Sequence, residues 1–222
     1  MMRKCCFIVF AVSIVAIYSC NTDKKVDSDA IKKEINNREI VHVTESEILQ
    51  KAHEIGNTIA TNSQQALGAK LKGALGAGGV ENAISYCNLQ AMPLIDSLSK
   101  EYNAQIRRVS LKNRNPADAP STLELQILEA YESQTADSLT LSTNVQPLGN
   151  DQYLFTKPIM IDNALCLACH GTPENGLATA TQDLIKSKYP ADKAIGYQIG
   201  DLRGMWSIVL PKKSIVQAFS AE

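Results

Sequence analysis

Two thiols and an imidazole stand within five residues at Cys166-Leu-Ala-Cys169-His170. The spacing admits three chemistries. A structural zinc needs four ligands, usually two pairs, and here there is a single pair. Adjacent Cys and His ligands would also strain a tetrahedral centre. A thioredoxin-type dithiol needs its CxxC at a helix start after a strand, and it has no use for the histidine. A c-type haem uses every residue. Cys166 and Cys169 lie about one helical turn apart, so both sulfurs can reach the two vinyl groups of one porphyrin. His170 then falls beneath the iron as its proximal ligand. The haem reading is the one that leaves nothing over, and it predicts one covalent haem c.

The chain has six cysteines, and their placement speaks to compartment. Cys5 and Cys6 lie in an N-terminal address: basic "MMRK", then "CCFIVFAVSIVAI", an apolar run too short to span a bilayer comfortably. "IYSC" follows, and Ile17, Ser19 and Cys20 resemble a bacterial lipobox. The expectation is a lipoprotein signal peptide over 1–19, lipidation of Cys20, and a polar tether over 20–43. The expected location is the cell envelope, as a periplasm-facing or outer-membrane lipoprotein held to the membrane by its lipid.

Three thiols remain for an oxidising compartment: Cys87, Cys166 and Cys169. Cys87 shares a helical stripe with Ile84, Ala91, Leu94, Ile95 and Leu98. It reads either as a buried structural cysteine or as a thiolate ligand on the iron face opposite His170, and composition does not choose. Met92, Met160, Met205, His42 and His53 compete for that position. The two histidines lie near the tether and an exposed helix start.

These residues need a scaffold. At 45% apolar, 20% charged and a net charge of −1, the chain is ordinary globular material with no electrostatic claim on nucleic acid. It has no P-loop, no GxGxxG and no internal repeat. A long helix opens at Thr44, with Glu47 completing a capping box, and "GAGG" at 76–79 stops it. The Cys87 helix follows, with a kink expected at Pro93. A short strand around Val109 leads into a charged loop. Ser121 and Glu124 cap a third helix carrying Leu125, Leu128 and Tyr131 on one side. From about 138, "LTLSTN" and "DQYLFTKPIMI" read as strands, with Tyr153 and Phe155 as core. "TATQDLIKSKY" reads as a short helix, "GDLRG" as a hairpin turn held by Asp201 and Arg203, and "MWSIVLP", 205–211, as the last strand. Trp206 and Tyr197 are expected in the sheet core or a pocket wall. Helices followed by a mostly antiparallel sheet is an α+β order, in a single domain over 44–222.

Four segments resemble a known family. They are "AISYC" around Cys87, "RVSLKNRNPADAP" from 108, "KPIMIDNALCLACHGTP" from 157, and "YPADKAIGYQIGDLRGMWSIVLP" from 189. The chain is similar to the c-type haem PAS-like sensors of exported bacterial proteins and of extracytoplasmic parts of sensor kinases. That resemblance implies a PAS-like antiparallel sheet flanked by helices, with haem c between them. It implies His170 as one axial ligand and a cysteine on an early helix as the other, the position that Cys87 matches. Asp118 stands where that loop more often carries Asn. Arg108, Lys112 and Arg114 suit either haem propionates, which match a guanidinium fork, or a solvated basic loop.

Two functions are expected from this set. One is a redox or diatomic-gas sensor; with no output domain on the chain, it would act on a separate signalling protein. The other is a small electron-transfer cytochrome with a redox partner. An enzyme is not expected, since a peroxidase-like site needs an open distal face with an acid–base residue beside it.

Overall fold

The computed structural model describes residues 27–29, 31–32 and 43–220. The signal segment, Cys20 and His42 lie outside the described residues. The chain divides into two units, Met1–Ile40 and Val41–Glu222. In the first, Asp27 opens a helical turn, its carbonyl accepting from Ile31 N at 3.0 Å and its carboxylate from Asp29 N at 3.0 Å. No helix among the described residues is long and apolar enough to cross a membrane.

The second unit begins with α1, Glu45–Glu101. Thr44 and Glu47 form the expected capping box, with Glu47 N donating to the Thr44 hydroxyl at 3.3 Å and Thr44 N to the Glu47 carboxylate at 2.8 Å. The helix breaks once, at Gly78 and Gly79. Gly79 has φ 67 and ψ −161, a conformation that side chains disfavour. The chain reverses there. Asn82 Nδ2 donates to Ala74 O at 2.8 Å, and Asn62 Nδ2 reaches Tyr102 OH at 3.0 Å. An open groove between the two arms is lined by Lys70 and Gly73 from one and by Tyr86 and Leu89 from the other. α1 is therefore a hairpin of two arms, residues 45–77 and 80–101, with the "GAGG" segment as its turn. Pro93 does not break the second arm. It sits on an exposed face, where water can satisfy the carbonyl that its missing N–H leaves unpaired.

β1 (Gln105–Val109), α2 (Thr122–Ala136), β2 (Asn144–Gly149), β3 (Gln152–Met160), α3 (Ala164–His170), α4 (Thr179–Lys188), β4 (Leu202–Pro211) and α5 (Lys212–Phe219) follow. The strands form one sheet in the order β1-β4-β3-β2, antiparallel throughout. Alternation along β4 sorts its side chains between two layers. Trp206, Ile208 and Leu210 join Tyr153, Phe155 and Ile106 against the α1 residues Ile48, Ile59 and Ile95. Met205 packs with Leu128 and Tyr131 of α2. A sheet with the hairpin α1 against one set of its residues and α2 against the other is the α+β, PAS-like arrangement expected. Gly56 permits the first contact, because a Cβ there would meet the Phe155 ring, Cδ2 at 2.6 Å.

Three local expectations are corrected, and one element is new. Strand β2 starts only at Asn144, so most of "LTLSTN" is not strand. Leu125 points outward, 37% exposed, and Glu124 takes the inward position. "GDLRG" is not a hairpin turn. Asp201 does hold a bend, accepting from Gln198 N at 2.7 Å, but β4 already begins at Leu202, since Ile161 N donates to Asp201 O and zips the two chains together. The terminal helix α5, with Ile215 in the core, was not foreseen.

Glu124 explains its own inward turn. Its carboxylate accepts from Ser121 N at 2.8 Å as a cap, from the Ser207 hydroxyl of β4 at 2.7 Å, and from Arg107 of β1 at 3.0 Å. Burial alone would raise its pKa. The Ser121 backbone, the Ser207 and Ser121 hydroxyls and the Arg107 charge outweigh that, and hold it below the ordinary 4.5. A depressed carboxylate contributes stability above its unfolded pKa and loses it as pH falls through the folded one. Glu124→Gln should cost about 2 kcal/mol in urea unfolding at neutral pH. The gap from wild type should narrow as pH drops below 4.5; a gap independent of pH would mean that packing, not the charge, is lost.

Candidate functional site

α3 is only seven residues long. Asn163 caps it, its Oδ1 accepting from Leu165 N at 3.0 Å. The turn-to-turn offset sends its two thiols into different surroundings. Cys166 packs beside Ile161, Leu167, Ala194 and Tyr197. Cys169 packs beside Ile84, Leu177 and Ile185, the seam between the second arm of α1 and α4. Both are free thiols and half-buried, as is Cys87.

His170 is held on three sides. Its backbone carbonyl accepts from Tyr197 N at 2.9 Å, and the next carbonyl, Gly171 O, from Gly196 N at 2.9 Å. Its ring meets Tyr197 edge-on at 6.1 Å. Its Nδ1 lies 2.8 Å from Ala194 O. A carbonyl can only accept, so Nδ1 carries the proton and Nε2 keeps a bare lone pair. Burial, then the Arg203 and Arg114 charges, push the imidazole's pKa well below 6.5 and outweigh the Ala194 bond, so the ring is neutral at physiological pH. A neutral imidazole anchored through Nδ1 on a carbonyl is the form that ligates a metal.

Cys87 lies on the second arm of α1, in the same charged neighbourhood. Burial raises its thiol pKa, while the Arg108 and Arg114 charges oppose the rise. Burial raises the Cys169 thiol too, with Arg114 opposing and the Cys87 and Cys166 thiols adding. Cys87 and His170 thus share Arg108 and Arg114 as electrostatic neighbours. Each thiol stays protonated unless a positive charge arrives to stabilise its anion.

The three arginines have different commitments. Arg114 Nε donates to Asp192 Oδ1 at 3.1 Å, and its Nη2 to Cys169 O at 2.6 Å and Ala194 O at 3.1 Å. Its Nε and Nη2 are thus engaged within the protein. Arg203, read from sequence as a turn residue, instead lies over the Tyr197 ring at 5.6 Å, and its Nη1 donates to the Ser110 hydroxyl at 2.9 Å. Lys112 lies over the same ring at 5.1 Å. The Arg108 side chain has no hydrogen bond or ion pair among the described residues, yet its charge acts on Cys87, Asp118 and His170. Asp118, whose carboxyl burial raises against the pull of Arg108 and Arg203, is a weak counter-charge.

The competing ligands are elsewhere. Met160 and Met205 pack with Leu128 and Val109 below α2. Met92 is 36% exposed. His53 Nε2 is bonded to the Thr143 hydroxyl at 2.6 Å. Trp206, Tyr153 and Phe155 belong to the core, as expected. Among the described residues, no group of three or more His, Cys, Asp or Glu is arranged to hold a metal ion. Sequence reasoning missed Asp192, Ala194 and Arg203 as site residues. The signal for Arg203 was its glycine neighbour. Gly204 has φ 158, and a Cβ there would strike the Val109 carbonyl, so β4 presses against β1 where Arg203 turns inward.

The set therefore offers two thiols one turn apart, a neutral imidazole with a bare Nε2, a third thiol on a facing helix, and an unpaired guanidinium. It suits an anionic metal macrocycle. No curated protein matches the chain. The crystal structure of the cyanobacterial heme-protein Tll0287 aligns with 84% of this chain and 98% of that one, at 23% identity and a TM-score of 0.45. The model of the Tll0287-like family matches residues 30–211. With most of its length matched, the chain belongs to the Tll0287-like family.

Proposed function

We propose that this is an exported, lipid-anchored c-type haem protein that senses redox state or a diatomic gas. The observation that carries the reading is His170: a neutral imidazole, bare at Nε2, directly after two half-buried thiols one helical turn apart. Membership of the Tll0287-like family, whose cyanobacterial namesake is a heme-protein, supports it. Bound haem would supply a one-electron iron couple and a coordination position for a diatomic ligand.

The chain's own residues divide the work. Cys166 and Cys169 would form the two thioethers, so that an exported protein keeps its cofactor. His170 Nε2 and Cys87 Sγ would be the side-chain ligands that hold the iron. Arg108 is the cation still available to a carboxylate. Cys87 would carry the proton that responds to charge at the site: burial favours its thiol, and a metal cation held beside it would favour the thiolate. No enzymatic step is proposed; the output would pass to a signalling or redox protein partner. The second reading, a small electron carrier, draws support from the firm seating of the Cys87 arm by Ile84 and Ile95, both buried.

Protein matured with a cytochrome c assembly system should stay red after acid–acetone extraction and give a c-type pyridine haemochrome. Extraction of the porphyrin into the organic phase would overturn the covalent assignment, and Cys166→Ala/Cys169→Ala should lose attachment.

Cys87→Ala should change the ferric spectrum from low-spin to five-coordinate or water-ligated and raise the midpoint potential. Identical low-spin spectra would make Cys87 a core residue. Carbon monoxide binding by the reduced wild type favours the sensor; indifference to it favours the carrier.

For the anchor, globomycin should cause the precursor to accumulate, and labelled palmitate should enter the chain at Cys20. Normal processing and membrane attachment of Cys20→Ser would refute the lipoprotein assignment.

A further inference from the structure

Arg114 and Asp192 form an ion pair with side chains 13% and 8% exposed. Such a pair does little for stability by itself, because desolvation offsets its attraction. Its connections give it another use. Asp192 Oδ1 accepts from Arg114 Nε at 3.1 Å and also from Ala194 N at 2.9 Å. Arg114 Nη2 donates to Ala194 O at 3.1 Å. The pair thus grips the flanking N–H and C=O of Ala194, and that carbonyl is the one facing His170 Nδ1 at 2.8 Å. Arg114 Nη2 also takes Cys169 O at 2.6 Å, one residue before the imidazole. On its far side the guanidinium lies over the Tyr189 ring at 5.9 Å.

The clamp therefore fixes both ends of one hydrogen bond. It holds the acceptor, Ala194 O, and the helix turn that bears the donor, His170. It also sets the strength of that bond. A carbonyl oxygen has two lone pairs, and here a cation occupies one of them. The oxygen that His170 meets is therefore a poorer acceptor than a free carbonyl, and the ring keeps less imidazolate character at Nε2.

We propose that Arg114 and Asp192 are positioning residues that lock the Nδ1–H tautomer of His170 and limit the electron donation of its Nε2. This rests on the haem reading for its consequence at iron, but the tautomer itself belongs to the polypeptide. Two conservative variants separate geometry from charge. Arg114→Lys keeps the charge and loses the fork. Asp192→Asn keeps an acceptor oxygen for Arg114 Nε and Ala194 N and loses the charge.

The first readout is the ¹⁵N spectrum of His170 in the full-length chain without haem. Wild type and Asp192→Asn should show the Nδ1–H tautomer, and Arg114→Lys a shift toward Nε2–H. The second is the midpoint potential of the haem-loaded proteins. With haem bound, Nε2 would be committed to iron and Nδ1 must keep its proton whatever the tautomer of the free ring. Arg114→Lys should therefore shift the potential lower despite unchanged charge, because Ala194 O then accepts from His170 without a competing guanidinium. Asp192→Asn should shift it upward, as loss of a nearby negative charge requires. A wild-type tautomer in Arg114→Lys would overturn the proposal, as would a wild-type potential in that variant. If the protein takes up no haem, the first readout still decides the clamp, and only the haem reading falls.

Discussion

A helix of seven residues cannot hold itself in water, and the rest of the site follows from that constraint. The chain of α3 is fixed from outside. The 192–197 segment runs beside residues 169–171 and exchanges backbone hydrogen bonds with it, and Arg114 closes the free carbonyl of Cys169. The loop after β1 supplies that arginine and is itself tied to the same segment by Lys193 N on Asn113 O at 3.1 Å. Three stretches far apart in sequence must thus arrive together before Cys166, Cys169 and His170 acquire a defined geometry.

The sheet is what brings them together. β4 is paired on both sides, to β1 and to β3. The loop that follows β1, the helix that follows β3 and the segment that leads into β4 all emerge at one end of these strands. Register does the positioning: Val109 opposite Met205 and Pro158 opposite Met205 bring the ends of β1 and β3 to the start of β4. Glu124 adds a bolt through the second layer, joining α2 to both β1 and β4. The site is therefore an edge property of a well-packed sheet.

Much of this was legible from local chemistry. The two capping boxes, the glycine-rich break and the Cys87 stripe are signals contained in short windows, and each appears where expected. What was not legible depends on partners distant in sequence. Glu124 reads as a cap residue, and nothing nearby foretells Ser207. Arg114 reads as a cation in a basic loop until Asp192 lies against it. Arg203 sits in a turn-like string of glycines, yet the glycine after it serves close strand packing. "LTLSTN" has strand composition but no neighbour to pair with over most of its length. Helix α5 is only eight residues long with Ile215 as its sole fully buried anchor, and so short a run gives periodicity too few turns to declare a helix.

The hairpin form of α1 has a mechanical consequence. Its second arm is a beam with two supports. Ile95, Leu98 and Tyr102 fix one end in the sheet core, and Ile84 rests on Leu177 and Ile185 near the other. Cys87 lies between the supports, so while both hold, the sulfur can be displaced only by bowing a helix, which is stiff. If the lighter support at Ile84 is lifted, the beam becomes a cantilever. Measured from Leu98 along a helix of fixed rise, the glycine turn lies about 1.7 times as far out as Cys87 and sweeps a correspondingly larger arc. The two-glycine turn then marks the point of greatest travel, and the Ile84 seat determines whether there is any travel at all.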